Sequence, residues 1–306
     1  MNCIPNDSNH LKAFACEVRT ELIMGTTVTS ENITGNTFPS IRRVWFITGA
    51  SSGIGRELVG QALNAGESVV AVARNTTRLG DFDSTGRLLA INADVRDEAA
   101  VRQAVEEAVE RFGQIDVVAN NAGYGVFGAV EEVGDPQARA IFDTNVFGVL
   151  NVLRATLPVL RRQRSGHILQ GSSIFGQTAV PGLGMLAATK YAVEGLSDAL
   201  ALEVAPLGIH VTLVQPGPTA TAFGGNIDTV QTTQTDYDAT VRTPQSEAPV
   251  SEAGKVAEGI RAAVAGVNPP RRLALGTVSA DAMRHALTAR LADLDGWADI
   301  SKKVDA

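Results

Sequence analysis

One segment, TGASSGIG at positions 48–55, constrains the fold of this chain more than any other. It follows a short apolar run at 44–48, and apolar residues then recur at helical spacing from Ile54 to Leu63. A glycine-rich turn between a buried strand and a helix lets the backbone approach a ligand closely. The N–H groups at the start of such a helix, helped by the helix dipole, attract a pyrophosphate. The segment therefore predicts a dinucleotide-binding turn, and a plain strand–helix turn is the alternative interpretation.

Further apolar runs alternate with helical patterns along the rest of the chain. The runs are continuously apolar, which is typical of strands covered on both faces of a parallel sheet. The predicted strands are 44–48, 68–74, 87–92, 116–123, 166–173, 209–217 and 271–276. Predicted helices follow the glycine turn and cover 97–112, about 135–162 and about 186–205. This order predicts an α/β fold, a single doubly wound parallel sheet of the Rossmann type flanked by helices on both faces.

Two segments do not fit the alternation. Residues 1–40 are polar and without sustained periodicity, which predicts a mostly disordered N-terminal extension with a short helix around 11–24. Residues 41–306 then form one dinucleotide-binding catalytic domain. The polar stretch at about 218–251 is too long for an ordinary connection, so we expect it to be a lid or insertion.

Composition excludes several classes of protein. The net charge is −7 and no run of Lys or Arg is present. We therefore expect the protein to bind neither nucleic acid nor an anionic membrane surface. The two cysteines, Cys3 and Cys16, lie outside the main body, so no disulfide framework and no metal site are expected there. No apolar run reaches the ~20 residues of a membrane span, and the N-terminus does not read as a secretory signal. A soluble, cytoplasmic protein is the expectation.

Four further motifs follow the glycine turn in order. They are Asn120-Asn121-Ala122-Gly123, Ser172-Ser173, Lys190 and Pro216-Gly217. With the turn, they resemble the short-chain dehydrogenase/reductase family over residues 44 to about 300. The resemblance implies that a nicotinamide dinucleotide contacts the following positions: Thr48, Gly49, Ser51, Ser52, Gly53, Ile54, Gly55, Arg74, Asp94, Val95, Asn121, Ala122, Gly123, Lys190, Pro216, Gly217, Thr219 and Thr221.

The end of the second strand indicates which dinucleotide is bound. An acidic residue there would hold the ribose 2′-hydroxyl of NAD. This chain has Ala73 followed by Arg74, which removes repulsion and offers a guanidinium to the 2′-phosphate of NADP. Arg78 is a second candidate for the same phosphate. The pattern predicts NADP (NADPH) as the cofactor, with a solvated strand-end charge as the alternative interpretation of Arg74.

The resemblance also implies a catalytic group of Ser, Tyr and Lys, with an Asn that supports a water relay. Ser173 matches the serine, with Ser172 as the alternative, Asn145 matches the asparagine and Lys190 matches the lysine. The tyrosine belongs four residues before the lysine, since positions i and i+4 share a helix face. That position holds Leu186.

Other aromatic or basic side chains could replace the missing phenol. Tyr124 follows the Asn-Ala-Gly turn and Tyr237 lies in the expected lid, so both are candidates. Tyr191 lies about 140° around the helix from position 186, so we expect it to point elsewhere, into packing or an interface. His167 is expected to be structural.

Three functions remain open from the sequence. The first is an NADP-dependent oxidoreductase that acts on a carbonyl or alcohol in a largely apolar pocket, with non-standard proton delivery. The second is a non-redox isomerase, dehydratase or cyclase on the same scaffold, and the third is a catalytically silent NADP-binding protein. Loss of general acid–base help costs ~10²–10⁴ in rate but need not abolish hydride transfer. The intact turn, Arg74, Ser173 and Asn145 argue against a complete loss of function, and so against the third possibility.

The resemblance implies, finally, a homodimer or homotetramer that assembles through the long helices at 135–162 and 186–205. The apolar residues on these helices also suit an ordinary core. Assembly is therefore an expectation that comes from the family and not from the residues.

Overall fold

A seven-stranded sheet forms the centre of the domain. The structure, a computed structural model, describes residues 43–82, 86–243 and 249–304. The strands are β1 (Val44–Thr48), β2 (Ser68–Ala73), β3 (Leu88–Asn92), β4 (Val117–Asn120), β5 (Gly166–Gly171), β6 (Ile209–Pro216) and β7 (Arg272–Leu275). Their order across the sheet is β7-β6-β5-β4-β1-β2-β3, and every neighbouring pair is parallel. The predicted α/β fold with a doubly wound parallel sheet is confirmed.

Both faces of the sheet are apolar, as the uninterrupted runs predicted. In β1, Phe46 packs into one core cluster and Ile47 into the other, because successive side chains of a strand point to opposite faces. Both side chains are completely buried. A strand with this environment cannot show polar alternation, which explains the continuous apolar sequence.

Helices cover each face. They are α1 (Gly53–Asn64), α2 (Glu98–Phe112), α3 (Asp135–Phe142), α4 (Gly148–Gln163), α5 (Gly184–Val204), α6 (Ala253–Ala265), α7 (Thr277–Gly296) and α8 (Ala298–Lys302). The apolar stripes of α2, α4 and α5 enter one core cluster, and those of α1 and α6 enter the other. The boundaries of α2 follow from its ends: the Asp97 side chain caps its first turn and Gly113 ends it with a φ of +79°.

The helix predicted over 135–162 contains one wide turn. A π-helical turn at Asp143–Phe147 lies between α3 and α4, and Phe142, Asp143, Phe147 and Gly148 all keep the right-handed helical conformation, so the chain is helical from Asp135 to Gln163, as predicted. Turns of this kind often occur at functional sites, and this one contains Asn145.

The strand order reverses between β1 and β4. The chain builds outward from β1 through β2 to β3, and then returns to place β4 on the other side of β1. A crevice forms where such a reversal separates the loops at the carboxyl ends of the strands, and ligands bind there in folds of this type. The topology therefore places the glycine turn and the Asn-Ala-Gly motif on either side of one crevice.

Part of the expected lid is structured. Thr219–Ala220 pairs with Ser251–Glu252, and Asp228–Thr229 pairs with Val126–Phe127. The expected N-terminal extension (1–40) and its helix around 11–24 lie outside the described residues. Among the described helices, none is both long and apolar enough to cross a membrane.

The first prediction concerns the core. Leu213 in β6 is completely buried, whereas Leu202 on α5 is 61% exposed. Leu213→Ala should lower the free energy of unfolding by about 2–5 kcal/mol, because it removes buried methyl groups and leaves a cavity. The matched Leu202→Ala control should change it by less than about 0.5 kcal/mol. Denaturant unfolding followed by circular dichroism measures both, and equal effects would contradict this account of the sheet.

Candidate active site

A large cavity lies at the carboxyl edge of the sheet. Its volume is about 1880 Å³, which exceeds the roughly 300–1,000 Å³ of a typical small-ligand pocket. The glycine turn borders one part, and the ends of β4, β5 and β6 border the next. A cavity of this size has room for a dinucleotide together with a second ligand.

The glycine turn has the conformation that a phosphate cradle needs. Gly49 and Gly53 have φ angles of +63° and +52°, in the left-handed region that favours glycine. A Cβ on Gly55 would lie 2.4 Å from the carbonyl oxygen of Gly49, so only glycine allows α1 to approach the turn. The cavity wall includes Ser51, Ser52, Gly53 and Ile54, at the start of α1. The positive end of this helix faces the cavity, which suits a pyrophosphate.

Thr48 and Gly55 lie behind the cavity wall. The Thr48 hydroxyl oxygen accepts hydrogen bonds from the backbone N–H groups of Asn121 and Ala122, each at 3.1 Å. These bonds tie the end of β1 to the loop after β4. The two residues therefore shape the cradle from inside the protein.

Arg74 lies on the cavity wall at the end of β2 and is exposed. Asp94, also on the wall, holds Arg96 in an ion pair with a shortest N–O distance of 2.6 Å. The hydrogen bond from Arg96 lowers the pKa of Asp94 below its ordinary value. Arg78 is not part of the cavity wall, so the structure does not place it with Arg74.

The structure brings together the cofactor positions named from the sequence, apart from Thr48 and Gly55. Those on the wall are Gly49, Ser51, Ser52, Gly53, Ile54, Arg74, Asp94, Val95, Asn121, Ala122, Gly123, Lys190, Pro216, Gly217, Thr219 and Thr221. They run from the end of β2 to the segment after β6. A dinucleotide fits this arrangement, with the glycine cradle between its two ends.

Lys190 and Leu186 share one wall of the cavity, one turn apart on α5. The Lys190 Nζ donates a hydrogen bond to the carbonyl oxygen of Gly171 at 2.6 Å. Desolvation of the ammonium lowers the pKa of Lys190 to about 8. Leu186 is 3% exposed and packs in a small apolar cluster with Val126 and Ile141. One turn before the Lys190 amine, where a phenol was expected, the helix therefore carries an apolar side chain.

The two adjacent serines have different surroundings. The Ser172 hydroxyl donates to the Glu194 carboxylate at 2.5 Å and is buried. Ser173 is half-buried, borders the cavity, and its hydroxyl has no hydrogen-bond partner within the described ranges. Ser173 is therefore the serine available to a bound molecule.

Asn145 is buried behind the cavity. Its side-chain N–H₂ donates to the Tyr124 carbonyl at 2.9 Å and to the Thr189 hydroxyl at 3.1 Å, and its oxygen accepts from the Tyr124 N–H at 3.1 Å. The π-helical turn aims Asn145 at these groups. A Cβ on Gly123 would lie 3.0 Å from the Asn145 oxygen and 3.7 Å from the Lys190 Nζ, so glycine leaves the space between Asn145 and Lys190 open.

Sequence reasoning missed Glu194. This carboxylate lies one turn after Lys190 on α5 and is 4% exposed. Besides Ser172, it accepts hydrogen bonds from Gln177 at 2.9 Å, Gln215 at 2.8 Å and Arg272 at 2.9 Å. It thus joins the loop after β5 to β6 and β7. An acidic residue four positions after the lysine, on the same helix face, was the signal that could have revealed it.

One of the three tyrosines, Tyr191, lies in a different place from the one expected. Tyr191 lines the cavity and its hydroxyl contacts Arg290 of α7, so the expectation that it points elsewhere is wrong. The expectation considered α5 alone, whereas α7 extends the cavity around to the face that carries Tyr191. Tyr124 also lines the cavity, and Tyr237 is hydrogen-bonded to Glu131 away from it.

His167 has a structural environment. It is buried in β5, and its Nε2 lies 2.9 Å from the Thr212 hydroxyl. Burial lowers the pKa of His167 to about 4, which keeps the imidazole neutral at ordinary pH. Within residues 43–82, 86–243 and 249–304, no group of three His, Cys, Asp or Glu side chains could hold a metal ion.

Known proteins share this architecture. A family model described as short chain dehydrogenase matches residues 43–232. An oxidoreductase of Botryotinia fuckeliana is 37% identical over 268 residues, which are 85% of this chain and 98% of the relative. The solved structure of a short-chain dehydrogenase from Streptomyces avermitilis is similar, with a TM-score of 0.82 and 35% identity, over 87% of this chain and all of that one.

A second solved structure contains a nucleotide. It is a short-chain dehydrogenase from Burkholderia cenocepacia in complex with NADP, with a TM-score of 0.69 and 26% identity. The similarity covers 84% of this chain and 98% of that one.

The second prediction concerns Glu194. Glu194→Ala should lower the free energy of unfolding by about 3–5 kcal/mol, because it leaves Arg272 and three polar groups without their shared acceptor. Glu203→Ala, at an exposed position of the same helix, is the matched control and should change it by less than about 0.5 kcal/mol. Thermal and denaturant unfolding measure both. Equal stability of the two variants would show that the Glu194 network contributes nothing.

Proposed function

The chain belongs to the short-chain dehydrogenase/reductase family and is an oxidoreductase acting on CH–OH or C=O groups. From this premise we propose that it uses NADP(H) and that its proton delivery differs from that of a tyrosine-dependent enzyme. The observation that carries the proposal is the continuous cavity. It joins Arg74, the glycine turn, Ser173 and Lys190 along one edge of the sheet.

Arg74 supports the choice of NADP over NAD. Its guanidinium lies at the cavity wall where the adenosine ribose of a dinucleotide on the glycine cradle belongs. The preceding Ala73 carries no charge that would repel a phosphate. Asp94, the acid on this part of the wall, is already paired with Arg96. The local charge therefore favours an additional phosphate group.

Each residue near the reacting end has a role that its contacts support. The bound nucleotide would supply or accept the hydride. The Ser173 hydroxyl is free to donate a hydrogen bond to the substrate oxygen and so orient it. Lys190 is within the wall that a nicotinamide ribose would contact, and Asn145 holds the Tyr124 backbone beside it. Leu186 and its apolar neighbours keep water away from that wall.

Lys190 also supports an account of the proton. In reduction of a carbonyl, the substrate oxygen must gain a proton as the carbon gains hydride. Lys190 is an ammonium below about pH 8, and it donates one hydrogen bond to Gly171. Lys190 also borders the cavity, so an ammonium N–H that is not bonded to Gly171 can donate to a substrate oxygen there. We assign the proton to Lys190, directly or through one water.

Leu186 is the observation that favours a second candidate. A scaffold that retains the cradle and lacks the phenol suits a non-redox isomerase, dehydratase or cyclase in which the nucleotide is structural. The absorbance of NADPH separates the two candidates, because only hydride transfer consumes it. A panel of ketones with this protein should lower that absorbance above the background rate.

The third prediction tests the cofactor. Arg74→Gln should weaken NADPH binding by about tenfold or more, because a charge-assisted contact to the 2′-phosphate is lost. NADH binding should change little. Arg78→Gln, an exposed arginine off the cavity wall, is the matched control. Calorimetric titration with each nucleotide gives the affinities, and equal weakening of NADPH and NADH binding by Arg74→Gln would contradict the assignment.

The fourth prediction tests proton delivery. Leu186→Tyr should raise the rate of ketone reduction by about 10²-fold, since it restores a phenol one turn from Lys190. The control Leu183→Tyr places a phenol elsewhere on the cavity wall, so it should leave the rate of ketone reduction unchanged. Single-turnover oxidation of NADPH measures the effect.

The pH dependence of the same reaction provides a control. With Leu186 in place, the reduction rate should fall as the pH rises through about 8, because Lys190 loses the proton that it donates. A measurable rate that is constant across this range would contradict the assignment of the proton to Lys190. No NADPH oxidation by either the wild-type protein or the Leu186→Tyr variant would argue for the non-redox candidate.

A further inference from the structure

Helix α7 forms the outer wall of the cavity at its substrate end. The residues that face the cavity recur at helical spacing and are small or polar. They are Val278, Ala282, His285, Ala286, Ala289 and Arg290. The alanines leave space between this helix and the apolar side chains on the opposite wall.

The charges on the wall are unevenly distributed. Three arginines line the cavity, and Arg96 is neutralised by Asp94. Arg74 and Arg290 form no ion pair with any carboxylate in the described part of the chain. Among the described wall residues, Asp94 is the one carboxylate, and it lies at the nucleotide end. Each end of the cavity thus carries one arginine whose charge is not compensated.

Arg290 is held in a fixed orientation without being neutralised. Its guanidinium donates to the Gln177 carbonyl at 2.5 Å, contacts the Tyr191 hydroxyl, and lies 5.2 Å from the centre of the Tyr191 ring. These partners are neutral. Gln177 follows Ser173 by four residues, and Tyr191 directly follows Lys190. A guanidinium fixed in this way is preorganised for an anion close to the reacting end.

We propose that the substrate is an apolar ketone or alcohol that carries a carboxylate, and that Arg290 binds this carboxylate. The apolar body fits the wall formed by Phe175, Leu183, Leu186 and Phe223. The carboxylate end faces a cationic rim that no described acidic side chain screens. The proposal rests on the proposed function, because it describes the substrate of that same site.

The experiment compares two forms of one molecule. The probes are a medium-chain keto acid with its ketone at the penultimate carbon, and the methyl ester of that acid. NADP-loaded protein should bind the acid more tightly than the ester in calorimetric titration. Arg290→Gln should reduce this preference by about tenfold, the effect of losing one charge-assisted hydrogen bond at a partly exposed site.

Three further variants exclude a purely structural role for Arg290. Arg284→Gln is the matched control, because Arg284 is on the same helix, pairs with Asp281 at 3.2 Å and is not on the cavity wall. It should retain the preference for the acid. Arg290→Lys should restore part of it. Tyr191→Phe removes one of the contacts that hold Arg290 and keeps its charge, so a large part of the preference should remain.

The outcomes are distinct. Arg290 binds the carboxylate if Arg290→Gln lowers the acid-to-ester preference and Arg284→Gln does not. The proposal is wrong if wild-type protein binds acid and ester equally, or if Arg290→Gln weakens both to the same extent. Binding is measured without turnover. An absence of NADPH oxidation would therefore count against the proposed function, whereas the comparison of acid and ester binding would still test the role of Arg290.

Discussion

The close contact between the ends of β1 and β4 is the constraint on which the site depends. The Asn121 side chain donates to the carbonyl oxygens of Thr48 and Gly49, and the Thr48 hydroxyl accepts from the loop that contains Asn121. Gly55 brings α1 against the same turn without a Cβ in the way. None of these bonds uses an N–H group at the start of α1, so those groups remain available to a ligand in the cavity. One local arrangement therefore shapes both the crevice and the helix start that suits a phosphate.

Much of the architecture could be predicted from the sequence, because burial on both faces leaves a continuous apolar run. The bounds of β1 agree with the run at 44–48, and the other strands begin within one residue of their predicted starts. The last three helices were not predicted. In α7 only Ser279 and Met283 are buried, so its sequence carries no apolar stripe that would indicate a helix.

The site was predictable where chemistry is local and unpredictable where it depends on packing. The positions of the glycine turn and of Lys190 at the cavity could be predicted, because each depends on a short local pattern of residues. The Glu194 network joins residues more than seventy positions apart, such as Arg272, and no short pattern shows that. Tyr191 was misplaced for the same reason, because a helix from the C-terminal region completes the wall beside it. The roles of Ser173 and Asn145 in catalysis stay predictions.

The shallow attachment of α7 has a thermodynamic consequence. Its buried residues lie in its first two turns, so the remaining turns contact the domain mainly through the side chains that border the cavity. A molecule that fills the cavity adds contacts to a helix that has only two buried residues of its own. Ligand affinity and the local stability of this helix are then linked, since each increases with the other. A bound molecule therefore stabilises the outer wall, and a substitution that loosens α7 weakens binding even where it touches no ligand.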